Sequence, residues 1–99
     1  MKRLRKSLVY KIKTTNKFEK DFIKCIKRNY NPEALSEVIQ QLEESGKLHR
    51  RFKPHPLSGN FKGFWECHVK PDWLLVWRQN DDTKVIELTR TGTHSDLFK

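Results

Sequence analysis

Apolar positions recur with two different periods along this chain, and the change of period marks out its elements. From Ser7 the stretch "SLVYKIKT" alternates, with Leu8, Tyr10 and Ile12 in one phase and Val9 in the other, which predicts a strand. In "NKFEKDFIKCIKRNY" the period lengthens. Phe18, Phe22, Cys25 and Ile26 recur at helical spacing, and Thr15 or Asn16 can accept hydrogen bonds from the first free N–H groups as a cap. A second helix follows in "NPEALSEVIQQLEESG": Asn31 caps it, Pro32 sits in the first turn and Gly46 supplies a left-handed stop. Its buried stripe is Leu35, Val38, Ile39 and Leu42, while Glu33, Glu37 and Glu44 point the other way. Residues 47–63 have no period, and their prolines, glycines and aromatics predict a long ordered loop. Three strands end the chain. "FWECHV" places Trp65, Cys67 and Val69 on one face and Phe64, Glu66 and His68 on the other; "WLLVWRQ" is apolar in both phases, as a central strand is; "KVIELTRT" pairs with it across "NDDT". The expected fold is α+β, a single antiparallel sheet with an N-terminal strand and a helical hairpin packed on one face.

A length of 99 residues fits one domain, 1–99, with a thin core. "MKRLRK" begins like a signal peptide, but "SLVYKIKTT" is too polar for the apolar segment that must follow, so a cytoplasmic protein is expected. No apolar run is long enough to span a membrane. Cys25 and Cys67, one on a helix and one on a strand, read as small buried hydrophobes. Net charge is +9, and its distribution is uneven: residues 1–53 hold 15 Lys/Arg against 6 Asp/Glu, whereas 54–99 hold 6 of each. Such a surface suits a polyanion, of which nucleic acid is the commonest; anionic lipid or an acidic protein would also fit. On the first helix Lys17, Lys20, Lys24, Lys27 and Arg28 share one arc opposite the apolar stripe, as a nucleic-acid contact or as a solvated face. Arg50, Arg51 and Lys53 in the loop, or the amino-terminal "KRLRK", offer alternative docking surfaces.

Chemistry concentrates in "HPLSGNFKGFWECHVKPDW". His68 lies on the polar face of its strand, Asp72 follows at a Lys-Pro-Asp turn that it either caps or equips, His55 lies in the returning loop, and His94 comes just after the last strand. A zinc site fits poorly, because Cys67 and His68 are adjacent on a strand and project to opposite faces. No metal and no cofactor is expected. Several histidines beside cations suit metal-free RNA scission, in which one group takes the 2′-OH proton, another protonates the departing 5′-oxygen and cations stabilise the phosphorane. Arg90 or nearby lysines would hold the phosphate. Trp73 or Phe98 would stack a base, unless Trp73 belongs to the core.

The run "HPLSGNFKGFWECHVKPDWLLVW" followed by "LTRTGTHSDLF" resembles the YafQ-like branch of the RelE/ParE toxin superfamily. The resemblance implies a RelE-like microbial RNase fold and a ribosome-dependent mRNA endonuclease paired with an antitoxin. It carries the family's functional set onto His55, His68, Asp72, Trp73, His94 and Phe98. Within that set His94 is expected as acid and His55 as base, with His68 and Asp72 orienting groups or stabilising charge. Trp65 departs from the pattern, standing where relatives often have an arginine or another polar residue. The competing readings are a catalytically weak RNA-binding module and a gyrase-directed toxin, whose branch generally lacks this histidine cluster.

Overall fold

A computed structural model describes residues 8–98. The elements run β1 (Lys11–Thr14), α1 (Asn16–Lys27), α2 (Pro32–Ser45), β2 (His55–Pro56), β3 (Trp65–Lys70), β4 (Trp73–Asn80), β5 (Val85–Gly92) and α3 (His94–Phe98). The five strands form one sheet in the order β1-β5-β4-β3-β2. Among these pairs β2–β3, β3–β4 and β4–β5 are antiparallel. β1 runs parallel to β5, which corrects the expectation of a wholly antiparallel sheet. Two helices and three strands separate these partners, so no hairpin turn dictates their relative direction.

The local signals read from the sequence operate as expected at the helix ends. Thr15 is the cap of α1, its Oγ1 accepting from the Phe18 N–H at 2.9 Å. Asn31 accepts from the Glu33 N–H, and Gly46 closes α2 at φ +70°. That glycine has a second reason to be bare: a Cβ there would lie 2.5 Å from the Tyr10 ring. Both helices cover one sheet face. Phe18, Cys25, Leu35, Val38 and Leu42 pack against Cys67, Leu75, Trp77, Ile86 and Leu88 in a single core. Ile26 falls outside that stripe and is exposed.

Three further expectations are corrected. β1 starts at Lys11, later than the alternation implied, because the N–H groups of Val9 and Tyr10 both donate to the Glu43 carbonyl instead of a strand; Ser7 and "KRLRK" lie outside the described residues. The 47–63 segment is more regular than a loop. It contains a 3₁₀ turn at Arg50–Phe52, the two-residue β2, and a second 3₁₀ turn at Gly59–Phe61. His49 stabilises the first turn, its Nδ1 accepting from the Arg51 N–H at 3.0 Å. Finally, a short helix, α3, follows β5 and carries His94 and Phe98.

Candidate active site

Cross-strand partners share a face, so the register decides which side chains meet. His55 pairs with Glu66, Glu66 with Val76, and Val76 with Arg90, making one row across four strands; the next row joins His68, Leu74 and Gly92. Cys67, paired with Leu75, belongs to the opposite, helix-covered face. The histidines of β2 and β3 therefore lie on the face away from the helices, above Leu74 and Val76, which are buried outside the main core.

Glu66 is a residue that sequence reasoning left out of the candidate site and that the structure places beside His55. Alternation puts it on the polar face, yet it is only 5% exposed, and its Oε1 lies 3.1 Å from His55 Nε2. The other ring nitrogen of His55 donates to the Lys53 carbonyl at 2.9 Å. Lys53 is left-handed at φ +52°, an unfavourable conformation for a residue with a side chain, and it turns that carbonyl toward the ring. Both ring nitrogens of His55 are thus engaged, Nδ1 by a carbonyl and Nε2 by a carboxylate. His68 is wired differently. Its Nδ1–H donates to the Pro71 carbonyl at 3.1 Å, which fixes the neutral tautomer and leaves the Nε2 lone pair free. The next residue in that turn, Asp72, accepts from the His94 backbone N–H at 3.3 Å. The Pro71–Asp72 turn thus links His68 to His94. Phe98 packs against the His94 ring at 5.3 Å between centroids and meets exposed Phe61 edge-on at 5.1 Å.

Other expected site residues are occupied elsewhere. Trp73 is 3% exposed, packs on Tyr30 and donates from Nε1 to Thr91 Oγ1 at 2.8 Å, so it has no open face on which a base can stack. The Arg90 guanidinium is bound to Asp21 of α1 at 2.7 and 3.3 Å, at the edge of β5 beyond its pairing with β1, rather than held free for phosphate. Arg51 pairs with Glu37 and lies over the Phe52 ring. Lys24 lies 3.4 Å from Asp96. Lys17, Lys20, Arg50 and Lys53 are exposed. Burial raises both thiols, Cys67 to about 12, which makes neither a nucleophile near neutral pH. Trp65 is 38% exposed and stacks on Trp77 at 6.3 Å between centroids.

Among the described residues no three His, Cys, Asp or Glu side chains gather as a metal-binding group, and no helix is long and apolar enough to cross a membrane. An open cleft of about 500 Å³, lined by residues including Lys13, Gly63, Arg78, Thr83 and Glu87, contains none of the histidines. The site chemistry lies in the ring partners, not in this hollow.

Residues 10–99 match the family described as "Bacterial toxin of type II toxin-antitoxin system, YafQ". The chain belongs to the YafQ toxin family. The Escherichia coli K12 protein named mRNA interferase toxin YafQ is 34% identical over 88 residues, which are 88% of this chain and 94% of that one. In the crystal structure of the E. coli DinJ–YafQ complex, a chain 33% identical superposes with a TM-score of 0.82, covering 91% of this chain and 99% of that one. A metal-bound toxin from Helicobacter pylori is 38% identical with a TM-score of 0.81, over 93% and 100% of the two chains. The shared YafQ fold confirms the α+β architecture expected from the sequence.

Proposed function

We propose that this chain is the toxin of a type II pair, a ribosome-dependent mRNA endoribonuclease that stops translation in the cytoplasm and is restrained by a cognate antitoxin. The E. coli relative named an mRNA interferase, and the DinJ–YafQ complex, support the activity and the partner. The observation that carries the reaction is the unequal wiring of His55 and His68.

His68 Nε2 is the base that takes the ribose 2′-OH proton, because Nδ1 is anchored and Nε2 is free. His55 is not the base: its Nε2 is turned to the Glu66 carboxylate and not left free as that of His68 is. The Glu66 carboxylate instead holds the His55 ring in place beside the phosphorane that forms as the 2′-oxygen attacks phosphorus, and the surrounding cations offset its charge. His94, tied through its backbone to Asp72, protonates the departing 5′-oxygen. Phe98, with Phe61 beside it, supplies the aromatic surface for a base that Trp73 does not. Arg90 acts through Asp21, bracing β5 against α1. Exposed Lys17, Lys20, Arg50 and Lys53 hold the RNA backbone.

No step in this scheme requires a metal or cofactor. Ribosomes programmed with a short mRNA, held intact by polyamines in EDTA, test it directly. Cleavage should persist and leave 2′,3′-cyclic or 3′-phosphate and 5′-hydroxyl ends. The metal-bound H. pylori relative makes the metal arm of this experiment decisive. Activity lost in EDTA and restored only by a divalent ion, or products with 5′-phosphates, would sink the scheme.

A further inference from the structure

α3 is five residues long, far below the length at which a helix holds itself in water, yet it carries His94 and Phe98. What fixes it is a carboxylate outside the residues assigned to the candidate site, Asp96. Asp96 Oδ2 accepts from the Thr93 N–H at 2.9 Å, while Thr93 Oγ1 accepts from the Asp96 N–H at 3.1 Å, a reciprocal cap around His94. The same carboxylate receives both terminal nitrogens of Arg28, at 2.7 and 3.1 Å, from α1 across the fold. Lys24 approaches it at 3.4 Å. The approach is so close that a Cβ on Gly92 would stand 2.8 Å from Asp96 Oδ2, at φ +151° where side chains are strained in any case.

We infer that Asp96, clamped by Arg28, is a positioning residue that holds His94 and Phe98 against the Pro71–Asp72 turn, joining the basic helix and the reaction site into one rigid unit. A two-point guanidinium–carboxylate fork fixes orientation as well as distance, which one lysine contact does not. Its electrostatics agree with the geometry: the Asp96 carboxyl is held well below the usual carboxylate range, chiefly by Arg28. The effect of this latch on rate rests on the RNA-cleavage reading; its effect on His94 does not.

The test compares Asp96→Asn, Arg28→Met, the double variant and Arg28→Lys. Asparagine keeps the shape and the cap but removes the charge. In single-turnover cleavage at saturating protein, each of the first two should slow the reaction about 10- to 100-fold, as expected when a reacting group is displaced by a fraction of an ångström to one ångström. The double should be no slower than the worse single, because both break the same ion pair. Arg28→Lys should recover part of the loss, and Asp96→Asn should leave ribosome affinity unchanged. In the free protein, Asp96→Asn should shift the ring NMR signals of His94 and Phe98 while those of His55 stay in place. Additive losses in the double variant, or unmoved His94 and Phe98 signals, would overturn the latch. Shifted signals in a protein that cuts no RNA would keep the latch and reject the cleavage reading.

Discussion

The free Nε2 of His68 and the occupied Nε2 of His55 make opposite demands on substitution. His68→Ala removes the proposed base and should slow single-turnover cleavage by about 10²–10⁴. Glu66→Gln keeps the shape but takes away the carboxylate charge that faces His55 Nε2, so it should lower the rate with association intact. Equal loss of ribosome binding in Glu66→Gln would mean that this acid shapes the docking surface instead. Trp73 gives a contrasting case. Trp73→Phe keeps most of the packing but strips Thr91 Oγ1 of its donor, and urea unfolding should report a loss of about 1–3 kcal/mol. RNA affinity should not change; a fall in affinity without a fall in stability would return Trp73 to the stacking role. The sequence made His55, His68, Asp72, His94 and Phe98 visible through their types and motif order. It hid Glu66 and misplaced Trp73 for one physical reason: both are decided by partners far along the chain, on β2 and at Thr91.

Helix boundaries were legible because caps are local chemistry, written in Thr15, Asn31 and Gly46. Strand partners were less so. The two residues of β2 are too few to show alternation, and the parallel pairing of β1 depends on the whole intervening chain. The Gly46 turn yields a stability test at this scale. Gly46→Ala forces a side chain into a left-handed turn and against Tyr10, so thermal unfolding should show a loss of more than about 1 kcal/mol. The α3 latch predicts a pH signature. Asp96 has a folded-state pKa below its unfolded one, so its stabilisation is present above the unfolded value, about pH 4, and is lost as pH falls through the folded value. Urea unfolding of the wild type and Asp96→Asn should therefore differ most at neutral pH and converge in acid. A gap that widens on acidification would contradict the assigned sign.

Across the whole molecule, the groups proposed for docking and those proposed for chemistry lie on different surfaces. Lys17 and Lys20 remain exposed on α1, whereas Lys24 of the same helix and Arg28 at its C-cap are committed to Asp96. Changing Lys17 and Lys20 to glutamine should weaken ribosome association and flatten the plot of log affinity against log salt by roughly 0.7–0.9 for every phosphate that is no longer neutralised. Cleavage at saturating protein should hardly change. An unaltered salt slope would assign docking to Arg50 and Lys53. The strand order has a consequence of another kind. β5, made last among the strands, lies between β1 and β4, and both His94 and Phe98 come after it. A chain still being synthesised can pair β2, β3 and β4, but it has neither a place for β1 nor His94 and Phe98 until β5 and the residues after it emerge. On the proposed cleavage reading, a chain at that stage has the base but neither the acid nor the Phe98 ring that would hold a nucleobase.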